Sequence, residues 1–134
     1  MIKFGDEVKE RLLEGINLVA DTVKPTLGPQ ARTAILQGNP PVVINDGVTI
    51  AKHVSHEDPY VQMGVQLVQN LAFKAQSKAG DGTTTACVLA QSLCNSLKAL
   101  EISNVHEFRE ELEKAREGML QALDEMSVPV EGGD

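Results

Sequence analysis

The chain has 134 residues, a formal charge of −7 and 3% aromatic residues, which limits it to one domain or part of one, with a core of aliphatic side chains. The excess negative charge lies in residues 101–134, which hold ten acids and three bases, and we interpret that end as a solvated helix face. This balance argues against generic nucleic-acid binding, because neutralising phosphates needs clustered Lys and Arg. No apolar run approaches the ~18 residues of a membrane span, so we expect neither a nucleic-acid nor a membrane partner.

The cysteines and the start of the chain bear on localisation. Cys87 and Cys94 are seven residues apart on one predicted helix, hence about 10 Å apart along its axis, which is farther than a disulfide tolerates. The chain opens on Ile2-Lys3-Phe4-Gly5, with no apolar or Arg-rich leader. Cysteines that cannot pair with each other suit a reducing compartment, so we expect a cytoplasmic protein. The His and Cys spacing of a zinc site is absent.

The first predicted element is a helix that we expect Asp6 to cap. Its apolar residues recur at helical spacing, at Val8, Leu12, Leu13, Ile16, Val19, Ala20 and Val23. Lys24-Pro25 should end it, because the residue before a proline avoids the helical region. The loop Thr26-Leu27-Gly28-Pro29 follows. It is either an ordinary helix-to-strand turn or a loop that presents a backbone N–H and a threonine hydroxyl to a nucleotide.

A β-hairpin and a short helix come next. Thr33-Ala34-Ile35-Leu36 and Val42-Val43-Ile44 are apolar or β-branched runs on either side of a Gly- and Pro-containing loop, which is typical of a hairpin. Asn45-Asp46-Gly47 then turns the chain into a short helix. Asp46 is interpreted as a helix cap or Asx-turn, and it could serve as a ligand as well.

Three longer helices complete the prediction. Asp58-Pro59 opens the first in the preferred cap-then-proline order, and Asn104 with Glu107 resembles a capping box at the start of the last. Their apolar stripes, which we interpret as core, are Val61, Val65, Val68, Leu71, Ala72 and Ala75; then Ala86, Leu89, Ala90, Leu93 and Leu97; then Phe108, Leu112, Ala115, Met119, Leu123 and Met126. His53 and His56 have no third metal ligand nearby and are interpreted as surface residues.

The stretch Ala79-Gly80-Asp81-Gly82-Thr83-Thr84-Thr85 carries the strongest functional signal. Two glycines allow a tight turn and a close approach to a ligand, and the threonines precede a predicted helix, where unpaired N–H groups favour phosphate. Asp81 beside an anion needs an intervening cation, and hard oxygen ligands suit Mg²⁺. The alternative is a loop with an Asx or Thr cap, but capping needs only one such residue.

Four segments together resemble the motifs of GroEL-type chaperonins. They are Gly80-Asp81-Gly82-Thr83-Thr84-Thr85, Thr26-Leu27-Gly28-Pro29, Asp46-Gly47-Val48-Thr49-Ile50-Ala51 and Met63-Gly64-Val65-Gln66-Leu67-Val68. The resemblance implies a mainly α, multihelical fold with one β-hairpin, equivalent to the N-terminal half of an ATP-binding equatorial domain over residues 1–127. Residues 128–134 would begin the connection to an intermediate domain.

The resemblance also implies a function and a set of site residues. The protein would be a subunit of an ATP-dependent protein-folding chaperone: a homo-oligomeric ring that acts on unfolded client proteins, with a co-chaperonin as a further candidate partner. The expected ligands are ATP and Mg²⁺, with K⁺ as an additional cation. Asp46 would be catalytic, positioning the attacking water or a monovalent cation, and Asp81 would bind the metal. The nucleotide would contact Thr26, Leu27, Gly28, Pro29, Asn45, Asp81, Gly82, Thr83, Thr84 and Thr85.

The chain departs from the GroEL-type pattern at two places. Asn45 stands where a Lys is usual, and Gln30-Ala31 replaces a basic residue and a glycine, so we expect fewer cations near the triphosphate. The 134 residues carry half of the nucleotide pocket, and the complete subunit would be the ATPase. The alternative is a non-enzymatic helical interaction module on a chaperonin-derived scaffold. A P-loop nucleotidase is excluded, since no Gly-x-x-x-x-Gly-Lys-Ser/Thr occurs.

Overall fold

The computed structural model describes residues 5–130 and residue 132. The elements are α1 (Asp6–Val23), a 3₁₀ turn (Lys24–Thr26), β1 (Ala34–Leu36), β2 (Val42–Ile44), α2 (Gly47–Lys52), α3 (Pro59–Ala79), α4 (Thr83–Lys98) and α5 (Val105–Met126). The predicted mainly helical fold with one hairpin is therefore confirmed. The chain divides between Ala99 and Leu100 into two compact units. Residues 128–130 have no regular structure, and the proposed domain bounds of 1–127 and 128–134 stay a prediction.

The first unit is built on a close crossing of α1 and α3 at two glycines. A side chain at position 15 would collide with the backbone carbonyl of Val61, and one at position 64 would collide with the carbonyl of Leu12. The two helices can meet backbone to backbone because neither crossing residue carries a Cβ. This contact places the apolar stripes of α1 and α3 against each other.

The core lies where these two helices meet α2 and α4. Its buried residues are Ile16, Val19, Val23, Val48, Ile50, Ala51, Val65, Val68, Ala72 and Cys87. The predicted stripes of α1 and α3 are confirmed, since four members of each are buried. Asp58 caps α3 as expected, with its carboxylate accepting from the N–H groups of Tyr60 at 2.8 Å and Val61 at 3.4 Å.

The prediction for the buried face of α4 is wrong for Leu89 and Leu93, while the other members of its stripe, Ala86, Ala90 and Leu97, are half-buried. Leu89 and Leu93 are 64% and 56% exposed, whereas Cys87 is fully buried and Cys94 packs against the core. The buried face of α4 therefore lies at Thr83, Cys87 and Cys94. Periodicity identified a real apolar face, but the helices present in this chain cover the neighbouring one.

The start of α1 differs from expectation. Gly5, with φ 68°, is the N-cap, and Asp6 is already the first helical residue, where its charge still complements the helix dipole. The α-helix ends at Val23, just before Lys24-Pro25, as predicted, but the reason given was wrong, because Lys24 keeps helical angles of φ −50° and ψ −40°. The chain tightens into a 3₁₀ turn there, with Pro25 near its start, where the missing N–H has no helical partner to lose.

The hairpin pairs β1 with β2 in antiparallel register, with Ala34 opposite Ile44 and Ile35 opposite Val43. Ala34 and Ile44 pack against the core, while Ile35 and Val43 are 73% and 65% exposed. One face of the hairpin thus anchors it to the helices, and the other is open to solvent.

The second unit contains α5. Asn104 caps it as predicted, its side-chain oxygen accepting from the N–H groups of His106 at 3.1 Å and Glu107 at 3.2 Å. The predicted burial of its stripe is wrong: no residue of α5 is buried, and only Phe108 within the stripe is half-buried. None of the described helices combines the length and apolar character that crossing a bilayer requires.

Candidate functional site

The turn between α3 and α4 has the tight geometry that its glycines predicted. Gly80 and Gly82 both adopt left-handed angles, with φ of 72° and 77°, a conformation that favours glycine. Asp81 lies between them with an exposed side chain, and its carboxylate accepts from the N–H of Gly82 at 2.7 Å. The two left-handed glycines reverse the direction of the chain, so that α4 begins at Thr83, only four residues after α3 ends at Ala79.

The three threonines form the first turn of α4, which begins at Thr83 and not at Ala86 as the sequence suggested. The first N–H groups of a helix have no intrahelical acceptor, and no side chain caps them here. They stand at the positive end of the helix dipole. Free N–H groups at the start of a helix are in general suited to phosphate or another anion.

The threonine hydroxyls differ in their surroundings. Thr83 is buried and donates to the side-chain oxygen of Gln76 at 3.4 Å, whereas Thr85 is exposed. The Thr84 hydroxyl lies 3.0 Å from that of Thr26, which itself lies 2.7 Å from the carbonyl oxygen of Val23. Because a carbonyl only accepts, Thr26 donates its proton to Val23 and Thr84 donates to Thr26. The remaining lone pairs of Thr84 can then accept from a ligand or contact a cation.

The second motif reaches the same threonine. A side chain at position 47 would collide with the hydroxyl of Thr84, so the start of α2 can touch α4 only because Gly47 lacks one. Asp46 caps α2: its carboxylate accepts from the N–H of Val48 at 3.2 Å and from the hydroxyl of Thr49 at 2.7 Å. The predicted cap is confirmed, and the role of Asp46 toward a ligand stays a prediction.

The structure therefore joins Thr26, Gly47 and Thr84, one residue from each of three separate motifs. The first loop is closed by hydrogen bonds from Ala31 N–H to the Gly28 carbonyl at 3.1 Å and from Arg32 N–H to the Pro25 carbonyl at 2.8 Å. The remaining predicted nucleotide contacts are all exposed and lie within three residues of Thr26, Gly47 or Thr84 in the sequence. They are Leu27, Gly28, Pro29, Asn45, Asp81, Gly82 and Thr85.

Several side-chain amides support these elements, and the sequence interpretation missed them. Gln69 on α3 donates to the carbonyl oxygens of Ala51 at 2.8 Å and Val54 at 2.9 Å, which satisfies the end of α2. Gln91 on α4 donates to Asn17 and Asp21 on α1. The sequence did contain a signal for them, because helical periodicity places the amides of Gln69 and Gln91 next to the apolar stripes of α3 and α4.

Hydrogen bonding and burial also shift the pKa values of three side chains in the first unit. The hydrogen bond from Gln91, followed by the one from Lys24, lowers the pKa of Asp21 below its ordinary value. Burial raises the pKa of the Cys87 thiol and of the Cys94 thiol. Both cysteines are free, as their spacing predicted. Raised thiol pKa values make both poor nucleophiles near neutral pH.

No group of three or more His, Cys, Asp or Glu side chains within the described residues could hold a metal by itself. Mg²⁺ does not require such a group, since it usually binds through one or two carboxylates, water and substrate phosphates. The exposed carboxylate of Asp81, beside the uncapped start of α4, is compatible with that mode. His53 and His56 are exposed, as expected.

Comparisons with known proteins identify the family and the fold. The family model described as the TCP-1/cpn60 chaperonin family matches residues 19–134. The probable chaperonin-like protein PrmG of Gordonia sp. (strain TY-5) is 42% identical over 135 residues, which cover 98% of this chain and 34% of that protein. Two crystal forms of the chaperonin gp146 from bacteriophage EL 2 (Pseudomonas aeruginosa), in the presence of ATP-BeFx, superpose with TM-scores of 0.82 and 0.83 at 25% identity. They cover 95% of this chain and 23% of each gp146 chain, so the chain spans about a third or less of these relatives.

Proposed function

The chain belongs to the TCP-1/cpn60 chaperonin family, and we propose that it is the N-terminal, nucleotide-binding segment of an ATP-dependent protein-folding chaperone subunit. The observation that carries this proposal is the junction at Thr84, which meets the Thr26 hydroxyl at 3.0 Å and packs against Gly47. Three motifs separated in sequence meet at the start of one helix. A helix start of this kind is suited to phosphate, and a scaffold without a ligand has no need for it.

We assign the phosphates to the N–H groups of Thr83–Thr85 and to the exposed hydroxyl of Thr85. Asp81 would hold Mg²⁺ together with phosphate oxygens, and the ion would neutralise the charge of the triphosphate. The Thr26 loop would border the nucleotide, and Asn45 would lie beside it. Asp46 would orient the attacking water by accepting its proton. Positioning and charge stabilisation dominate phosphoryl transfer, so this division of roles suits ATP hydrolysis in a complete subunit.

The lone pairs of Thr84 suit a monovalent cation such as K⁺, because its single proton is already donated to Thr26. The hairpin has only the strands β1 and β2 among the described residues, so the backbone groups along its outer edges are suited to pairing with a neighbouring subunit in a ring. We therefore propose a homo-oligomeric ring acting on unfolded client proteins, with a co-chaperonin as an additional partner and the cytoplasm as its location.

A second candidate is a non-enzymatic helical interaction module. The exposed Leu89 and Leu93 on α4 favour it, since they are 64% and 56% exposed and form an apolar face that another protein could cover. The two candidates differ in nucleotide binding, which only the first requires.

Titration of the ¹⁵N-labelled chain with Mg-ADP separates them. The chaperonin proposal expects the amide signals of Thr26–Gly28, Asp46–Gly47 and Thr83–Thr85 to shift together, and to shift much less when Mg²⁺ is withheld. Thr85→Ala should weaken binding, whereas Ser92→Ala, another exposed hydroxyl on α4, serves as the matched control. Signals that do not move at millimolar Mg-ADP would contradict nucleotide binding and favour the interaction module.

A further inference from the structure

Helix α4 is tied to the rest of its unit by polar side chains. Among the described residues, the hydrogen bonds between side chains more than 50 residues apart all have one partner on α4. They are Thr84 with Thr26 at 3.0 Å, Gln91 with Asn17 at 3.1 Å and with Asp21 at 2.9 Å, and Asn95 with Asn17 at 2.9 Å. These contacts connect α4 to α1 and to the loop that follows α1.

Apolar packing alone gives α4 little axial definition. Cys87 is its one fully buried apolar side chain, and it is small, while Leu89 and Leu93 are exposed. Its other core-facing apolar residues, among them Cys94, are only half-buried. Apolar contact is non-directional, so a helix held by so few buried groups could slide or rotate at small cost. Hydrogen bonds between specific atoms do not permit this, because their strength falls steeply with distance and angle.

Gln91 is the centre of the polar contacts. Its side-chain NH₂ group, which has two N–H donors, donates to the side-chain oxygens of Asn17 and Asp21, which lie one turn apart on α1. Asn95 donates to the same oxygen of Asn17 and to the backbone carbonyl of Gln91 at 2.8 Å. Moving α4 by one turn, about 5.4 Å, would break all of the contacts to α1 together. The lowered pKa of Asp21, whose largest cause is the Gln91 bond, is consistent with a direct bond to the carboxylate.

The hydrogen bonds from Gln91 to Asn17 and Asp21, which we call the Gln91 clamp, lie close in sequence to Thr26 and to Thr84. Asp21 precedes Thr26 by five residues, through the end of α1 and the 3₁₀ turn, and Gln91 follows Thr84 by seven residues on one rigid helix. We propose that Gln91 is a positioning residue: by bridging Asn17 and Asp21 it sets α4 along α1, and so holds the Thr26 and Thr84 hydroxyls at the separation that nucleotide binding needs. The expected effect on nucleotide affinity rests on the proposed function, but the positioning of α4 along α1 by Gln91 does not.

The test compares Gln91→Met with the matched control Gln66→Met. Both replace an amide by an unbranched apolar side chain of similar length within a helix, but Gln66 is exposed on α3. Hydrogen exchange of residues 83–87 reports the attachment of the start of α4, and Mg-ADP affinity reports the site. We expect Gln91→Met to speed exchange and to weaken affinity, each by about tenfold, as loss of a hydrogen bond to a charged group predicts. Gln66→Met should change neither.

A swapped pair distinguishes the hydrogen bond from general helix stability. In Asp21→Asn combined with Gln91→Glu, the amide donor moves to α1 and the carboxylate to α4, so the bond between positions 21 and 91 can reform with reversed direction. The bond to the Asn17 oxygen stays broken, because a carboxylate has no proton to donate, and the ion pair of Asp21 with Lys24 is lost. We expect the pair to recover part of the loss in both measurements, whereas Gln91→Glu alone should place two carboxylates together and be worse than Gln91→Met. If Gln91→Met does not fold, Asp21→Ala, on an exposed position of α1, removes half of the clamp instead.

The outcomes separate this inference from the proposed function. Unchanged exchange and affinity in Gln91→Met, or a swapped pair no better than Gln91→Glu alone, would overturn the positioning role while nucleotide binding stands. A parent chain that binds no Mg-ADP would refute the proposed function. In that case faster exchange in Gln91→Met, partly reversed by the swapped pair, would still support the Gln91 clamp.

Discussion

Asp46 has two assigned roles, and substitutions can separate them. As a cap, its carboxylate accepts from the Val48 N–H at 3.2 Å and from the Thr49 hydroxyl at 2.7 Å. As a catalytic group, it would accept a proton from the attacking water. Asp46→Ala removes both roles, whereas Asp46→Asn keeps an oxygen that can cap the helix and removes the negative charge.

The magnitudes follow from these contacts. Loss of an N-cap costs about 1 kcal/mol, so Asp46→Ala should lower the thermal midpoint by roughly 3–6 °C for a domain of this size. Asp46→Asn should change the midpoint little. In a complete subunit carrying this segment, both variants should slow single-turnover ATP hydrolysis by roughly 10²–10⁴-fold, as loss of a general base predicts. Nucleotide affinity should fall much less than the rate, because the interaction arises mainly in the transition state.

Asp58 provides the matched control, since it caps α3 through the N–H groups of Tyr60 and Val61. Asp58→Ala should lower the thermal midpoint about as much as Asp46→Ala and leave the hydrolysis rate per folded subunit unchanged. If Asp46→Asn hydrolysed ATP at the parent rate, the negative charge would be unnecessary and Asp46 would be a cap alone. Equal losses of affinity and rate would instead indicate a ground-state contact.

Four further outcomes test the site and the fold. Asp81→Ala should abolish Mg-dependent nucleotide binding in calorimetry with little change in thermal midpoint, because its side chain is exposed; undiminished binding would refute the metal assignment. Gly47→Ala should destabilise the fold by about 1–3 kcal/mol through overpacking against the Thr84 hydroxyl, and adding Thr84→Ala should recover part of that loss in the same denaturant titration. Burial raises the pKa of Cys87 and Cys94 above the ordinary 9.0, so their contribution to stability should be complete below pH 9 and be lost as pH rises beyond it; iodoacetamide should modify buried Cys87 more slowly than half-buried Cys94, and equal rates would contradict this difference in burial. The isolated 134-residue chain should self-associate in light scattering, since it carries exposed apolar faces, and should release no phosphate from ATP, since under the proposed function it would supply only part of the nucleotide pocket; a monodisperse chain with steady turnover would contradict both expectations.

Local chemistry made the helices and three of their four expected caps predictable, the exception being Asp6, which is the first helical residue of α1 and not its cap. The stripes of α1 and α3 were identified correctly because each helix has one apolar face, so periodicity and burial select the same residues. The caps at Asp46, Asp58 and Asn104 depend only on atoms two or three residues away, and all three are present. The hairpin was equally readable, since its two apolar runs flank a short loop.

The buried faces of α4 and α5 could not be obtained in this way. Helix α4 offers one apolar face at Leu89 and Leu93 and another at Cys87 and Cys94, and both satisfy helical spacing. Which face is buried depends on the neighbours available, and here α1 and α3 cover the cysteines. Helix α5 has a clear apolar stripe, yet no residue of it is buried. Periodicity identifies an apolar face of a helix but does not say whether another element covers that face.

The candidate site likewise has features that the sequence predicts and features that depend on tertiary packing. The sequence by itself determined the chemical groups: two glycines that permit left-handed turns, the Asp81 carboxylate between them, three threonines after them, and the Asp46 carboxylate in a second motif. Only the tertiary structure decided that Thr26, Gly47 and Thr84 meet, and in which direction the hydroxyls donate. Residues 58 positions apart come together because α1 and α4 pack side by side, and no local preference of the chain encodes that distance. The Gln91 bridge belongs to the same category, since its acceptors lie 70 and 74 residues away and become its neighbours only when the two helices pack.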